Sequence, residues 1–151
     1  MSPAARRVIA ITGGTRGIGR AVAEHFHERG EAVAVCSRSE PDPALPGGIL
    51  HSQVDVRQAD AMGRFIKTVL DRLGALDVLV NCAGMSRWRP VEAIDEPFAR
   101  EVIETNVLGT LWASAEAAKA MSRGGCIVNV SSLAGKRGSA NNSVYCAAKF
   151  A

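Results

Sequence analysis

The sequence predicts an α/β fold: a doubly wound parallel sheet in the strand order 3-2-1-4-5. Three observations carry that expectation. Five short apolar runs, at residues 8–11, 32–36, 49–54, 77–80 and 126–130, recur along the chain. Segments of helical periodicity separate most of them. A cluster of glycines follows the first run at once, where a strand must turn into a crossover helix.

Val8, Ile9, Ala10 and Ile11 form a continuous apolar run, the pattern of a strand covered on both faces. Over residues 18–29, Ile18, Val22 and Phe26 recur every four residues, and Gly30 stands where a helix C-cap would place it. Residues 32–36 and 49–54 read as the second and third strands. Residues 39–48 between them hold Pro41, Pro43 and Pro46, too many prolines for the usual crossover helix. Met62, Phe65, Ile66, Val69, Leu70 and Leu73 then make an amphipathic stripe closed by Gly74. Residues 77–80 are the fourth strand, 97–121 one long helix, and 126–130 the fifth strand. A last helix begins near residue 144, and the chain reaches residue 151 before it would finish.

Composition limits the possible functions. The chain has 151 residues, 47% hydrophobic and 22% charged, which suits one globular domain spanning residues 1–151. A net charge of +3, with arginines scattered among acids, argues against a nucleic-acid or membrane surface. Cys36, Cys82, Cys126 and Cys146 are widely spaced, without a zinc-like pairing, so reduced and mostly buried thiols and no metal are expected. The run at residues 8–11 is too short for a signal peptide core, and a cytoplasmic protein is expected.

Thr12-Gly13-Gly14-Thr15-Arg16-Gly17-Ile18-Gly19 occupies the strand-to-helix turn. Glycines there let the backbone approach a pyrophosphate, and the helix N-terminus supplies N–H groups and a positive dipole end. With Thr12, Gly13, Gly17 and Gly19 matching T-G-x-x-x-G-x-G, the chain resembles the short-chain dehydrogenase/reductase family. The spacing of extended members, T-G-x-x-G-x-x-G, aligns less well. The resemblance continues through Asp55-Val56, similar to the family's adenine-side segment, and through Asn81-Cys82-Ala83-Gly84, similar to its N-N-A-G segment with Cys82 in place of the second Asn. It extends from Val8 to Lys149 and implies a Rossmann-type fold that binds a nicotinamide cofactor.

An NAD-preferring site of this fold places an acid near the end of the second strand, whereas an arginine there accommodates a 2′-phosphate. Ser37-Arg38 ends that strand here, and Arg16 lies in the glycine turn, so NADP(H) is expected. Glu40 is the residue that would serve NAD(H) instead.

Tyr145 and Lys149 stand four residues apart, which puts both on one helix face. Reduction of a ketone builds charge on the carbonyl oxygen and needs a proton donor there. A free tyrosine titrates near pH 10, and one ammonium about 5 Å away at a dielectric of 20 favours the phenolate by about 3 kcal/mol. By the resemblance, Tyr145 is the acid/base, Lys149 its modifier and a nicotinamide-ribose ligand, and Ser132 the donor to the substrate oxygen. Asn106 takes the family's fourth position, the anchor of a water in the proton relay. Trp88 and Trp112 are expected to pack, although Trp88 follows the fourth strand and could instead meet substrate. His25 and His27 point apart on the first helix and read as structure.

The expected function is NADP(H)-dependent hydride transfer with a small carbonyl or alcohol, similar to 3-oxoacyl-carrier-protein reductases and sugar or polyol dehydrogenases. The alternative is a nucleotide-binding module without turnover, or an inactive fragment of a longer reading frame. By the resemblance, further strands, a substrate-binding segment and a dimer or tetramer interface are expected to belong to a longer chain.

Overall fold

The computed structural model describes residues 6–40, 43–122 and 124–151. The sheet consists of β1 (Val8–Thr12), β2 (Ala32–Ser37), β3 (Leu50–Gln53), β4 (Val78–Asn81) and β5 (Cys126–Asn129). All pairings are parallel and the order is β3-β2-β1-β4-β5, as the apolar runs predict. Thr12 pairs with both Cys36 and Asn81, Ser37 with Gln53, and Asn81 with Asn129. These residues align at the C-terminal edge of the sheet, where ligands bind in such folds.

Every residue of β1 is buried, because helices cover both faces. The strand's period of two divides the core. Val8 and Ala10 pack with Met62, Phe65 and Val69 of α2 (Ala59–Leu73) and with Ala113 and Ala117 of the helix that follows β4. Ile9 and Ile11 pack on the other face, with Val22, Ala23 and Phe26 of α1 (Gly17–Glu28). α2 ends at Gly74, whose φ of +83° and bond to the Leu70 carbonyl make the C-cap expected of that glycine. Among the described residues, no helix joins β2 to β3, as the prolines require. Pro41 and Asp42 of that connection lie outside the described residues.

The helix expected over residues 97–121 has the right extent and a different interior. It comprises α3 (Glu96–Ile103), one π turn over Glu104–Leu108, and α4 (Gly109–Ala120). Asp95 caps the start, its carboxylate accepting from Phe98 N at 2.9 Å. At the π turn, bonds from i to i+5 insert an extra residue into the winding, a feature that recurs at functional sites. Gly109, where the α register resumes, lies against Val56: a Cβ there would stand 2.7 Å from Val56 Cγ2.

α5 (Ser143–Phe150) packs on α3 through a third cluster, with Phe98 and Val102 of α3 against Ala148. Trp112 packs against the α2 side of the core. Trp88 does not pack: it is 67% exposed and lines an open cavity beside Ser132. Cys126 is also exposed, against the expectation of buried thiols, since it opens β5, which pairs with β4 alone among the described residues. Among the described residues, no helix is long and apolar enough to cross a membrane.

Candidate active site

The turn after β1 is shaped by close backbone approach. Gly13 has a φ of +69° and donates its N–H to the Cys36 carbonyl at 2.8 Å. A Cβ at Gly13 would stand 2.8 Å from Ala83 Cα, so only glycine lets β1 and the segment after β4 lie this close. Thr12 ties the same strands: its buried Oγ1 accepts from Cys82 N at 3.2 Å and Ala83 N at 3.1 Å. At Gly19 a Cβ would strike the Gly13 carbonyl, which fixes the first turn of α1 against the loop. Arg16, the N-cap of α1, makes no side-chain bond to the first-turn N–H groups. Those groups and the helix dipole therefore face a cavity of about 360 Å³ lined by Gly13, Arg16, Gly17, Ile18 and Gly19. An uncapped helix start opening on a glycine-lined cavity fits a cofactor pyrophosphate. Gly13→Ala should destabilise the fold by about 1–3 kcal/mol and weaken cofactor binding, readable by thermal melting and titration.

Tyr145 and Lys149 form the opposite wall of that cavity. The Lys149 ammonium lies 5.8 Å from the centre of the Tyr145 ring and donates to the Val130 carbonyl at 2.8 Å. Its half-burial holds its pKa below the usual lysine value, with the charge of Cys82 pulling weakly the other way. Burial likewise pushes the Cys82 thiol up, opposed by Lys149. Tyr145 also lines a second cavity of about 500 Å³, beside Ser132. Ser132 Oγ accepts from Ala134 N at 3.1 Å, which leaves its own hydrogen free to be donated. Ser131, the neighbouring hydroxyl, lines the first cavity rather than the second.

Asn106 sits in the π turn, 6% exposed. Its Nδ2 donates to the carbonyls of Met85 and Val102, both at 2.9 Å, and its Oδ1 accepts from Met85 N at 3.3 Å. It holds the loop after β4 from both sides. Thr110 Oγ1 donates to the Asn106 carbonyl at 3.0 Å. A Cβ on Gly84 would stand 2.9 Å from Asn106 Oδ1 and 3.8 Å from Lys149 Nζ, so both side chains flank that glycine.

Other residues selected from the sequence lie apart from these walls. Arg38 pairs with Glu101 at 3.6 Å, and Glu101 also meets Arg87 at 3.2 Å. The Ser37 hydroxyl donates to the Ser39 carbonyl at 2.7 Å and stands 3.0 Å from His51 Nε2. The Arg57 guanidinium grips Asp55 at 2.5–3.0 Å and holds its carboxyl below the usual range. Val56 is buried against Gly109. Asn81 is buried, with Nδ2 donating to Ser114 and Asn129. Ala83 supports Thr12, and Thr15 is half-buried in the glycine turn. Sequence reasoning missed Val130, whose carbonyl holds Lys149, and Arg57, Ser86, Arg137 and Asn142. For Val130 the signal was its place at the end of the fifth strand.

Comparison with known proteins places this geometry. The model of the short chain dehydrogenase family matches residues 7–151. A sorbitol dehydrogenase of Cereibacter sphaeroides is 37% identical over 153 residues, which is 93% of this chain and 58% of that protein. The 3-oxoacyl-[acyl-carrier-protein] reductase of Vibrio harveyi is 33% identical over 95% of this chain and 62% of its own length. Among solved structures, the ligand-free aldohexose dehydrogenase of Thermoplasma acidophilum has a TM-score of 0.89 at 31% identity, covering 96% of this chain and 56% of that one. ElxO with NADP bound has a TM-score of 0.88 at 30% identity, covering 96% and 63%. The chain thus spans about three fifths of the length of the curated relatives it matches.

Proposed function

The chain belongs to the short-chain dehydrogenase family of oxidoreductases, and from that premise we propose that it transfers hydride between NADP(H) and a small carbonyl or alcohol. One observation carries the reading: Tyr145 stands at the junction of the glycine-turn cavity and the cavity beside Ser132. A cofactor in the first and a carbonyl in the second would meet at its phenol.

Gly13, Gly17, Gly19 and the start of α1 would hold the pyrophosphate, and Lys149 the nicotinamide ribose through the protons that Val130 leaves free. The bound dinucleotide supplies the hydride. Ser132 donates its hydroxyl hydrogen to the substrate oxygen and fixes its position. Tyr145 gives its proton to the same oxygen as negative charge builds there, and the Lys149 ammonium favours the charge left behind. Asn106 keeps the loop between the two cavities in place. A homo-oligomer, dimer or tetramer, belongs to the same reading. Leu111 on α4 and Phe150 on α5, exposed by 53% and 59%, support an interface there.

The phosphate of NADP(H) is assigned to Arg38 and Arg16. The Arg38–Glu101 pair joins an exposed arginine to a partly buried glutamate at 3.6 Å, and solvent-accessible pairs contribute at most about 1 kcal/mol. A 2′-phosphate offering charge-assisted bonds displaces Glu101 with free energy to spare. NADPH should bind at least about tenfold tighter than NADH, and Arg38→Ala should remove most of that preference. Fluorescence titration of both cofactors checks it. Equal affinities in the unsubstituted protein would overturn the preference, and tighter NADH binding would assign NAD(H) with Glu40 serving the ribose.

A further inference from the structure

The cavity beside Ser132 carries two polar groups that hydride transfer does not use. Among the described arginines, most side chains have a partner: Arg7 meets Glu31, Arg57 meets Asp55, Arg87 meets Glu101 and Arg89 meets Asp95. Arg137 has none among the described residues, and it lines this cavity with no aspartate or glutamate among the lining residues. Its place is fixed through its backbone: its N–H donates to the Leu133 carbonyl at 3.2 Å, and its carbonyl lies 3.9 Å from Cys146 Sγ on α5.

The second group is Asn142. It is 6% exposed and stands at the N-cap of α5, where an asparagine ordinarily gives its Oδ1 to a first-turn N–H. Here it makes no capping bond, and its Oδ1 has no donor among the described residues. That oxygen has almost no accessible surface, so the cavity meets other atoms of Asn142 and no ligand contact is assigned to Oδ1. Asn142 lines the same cavity as Arg137, Ser132 and Tyr145. Trp88 adds an exposed aromatic wall.

We propose that the carbonyl substrate of this site is anionic, with a carboxylate or phosphate read by Arg137 and the carbonyl oxygen at Ser132 and Tyr145. The inference rests on the reductase reading for its carbonyl and on the cavity walls for the rest. The volume, about 500 Å³, suits a small molecule rather than a polymer segment. A charge-assisted bond to a guanidinium changes binding by roughly tenfold or more, which sets the size of the effect.

The test uses matched pairs and needs no turnover. Trp88 fluorescence is titrated with dihydroxyacetone phosphate against dihydroxyacetone, and with acetoacetate against methyl acetoacetate. At least one anion should bind about tenfold tighter than its neutral partner, and the pair that shows the gap tells phosphate from carboxylate. Arg137→Gln should erase the gap and leave the neutral compounds unchanged. Trp88→Phe should remove the signal. Equal binding within both pairs, a gap that survives Arg137→Gln, or no binding of either anion overturns the proposal. NADPH oxidation separates the two readings. If no carbonyl is reduced while Arg137-dependent binding persists, the reductase reading fails and the anion site stands. If the methyl ester is reduced with the same KM as acetoacetate in a Tyr145-dependent way, the reverse holds.

Discussion

Tyr145→Phe should lower turnover by roughly a hundredfold to ten-thousandfold, the range general acid–base catalysis supplies, and leave cofactor affinity within about twofold. The ring is partly buried against the cluster of Phe98, Val102 and Ala148, and phenylalanine keeps that contact. What disappears is the phenolic proton at the junction of the two cavities. Lys149→Ala should behave differently: with its ammonium assigned by the proposal to both the proton step and the ribose, turnover and cofactor affinity should fall together. The comparison of the two variants by NADPH oxidation and by equilibrium titration is therefore the informative measurement. A Tyr145→Phe protein that keeps more than a few per cent of the rate would remove the phenol from the chemistry.

The strands were legible in the sequence because strands covered on both faces must be apolar throughout, and residues 8–11 and 32–36 leave no other reading. Their order followed from alternation with helices and from the glycine turn. For the candidate site, the phenol and ammonium one helical turn apart could be read from Tyr145 and Lys149 themselves, whereas Ser132 and Asn106 were legible only through the family resemblance. The π turn was not legible. One extra residue within Glu104–Leu108 leaves the helical apolar pattern nearly unchanged, and the bonds that Asn106 makes there reach a loop 21 residues earlier in the sequence.

Long-range pairings were hidden for a similar reason. Arg38 and Glu101 are far apart in sequence and meet only when α3 packs beside the sheet edge. Arg57 grips Asp55 from two residues away, but a D-x-R spacing is too common on surfaces to mark a site. Arg137 and Asn142 lie in a polar loop, where charge and amides are ordinarily solvated. The absence of a carboxylate beside Arg137 is disclosed only by the folded surroundings.

Asn106 offers the second large effect, on stability. Alanine there would leave the Met85 N–H and carbonyl and the Val102 carbonyl without the partner they now share. Groups left unsatisfied in a buried site cost about 1–3 kcal/mol, so a total of about 2–4 kcal/mol is expected after partial relaxation. In a chain of this size, that is a fall in Tm of roughly 5–15 °C. The loop it holds contributes Cys82, Gly84, Met85 and Ser86 to the glycine-turn cavity, so cofactor affinity should fall as well. Asn106→Asp keeps the volume and the acceptor but turns a carboxylate on two carbonyls, and should fail as badly. Calorimetry with cofactor titration distinguishes this role from that of a water anchor. A water anchor alone would leave Tm and cofactor affinity unchanged and lower only the rate. A positioning residue that staples the loop must move all three, because the same three bonds hold the wall of the cavity and close the packing around the π turn.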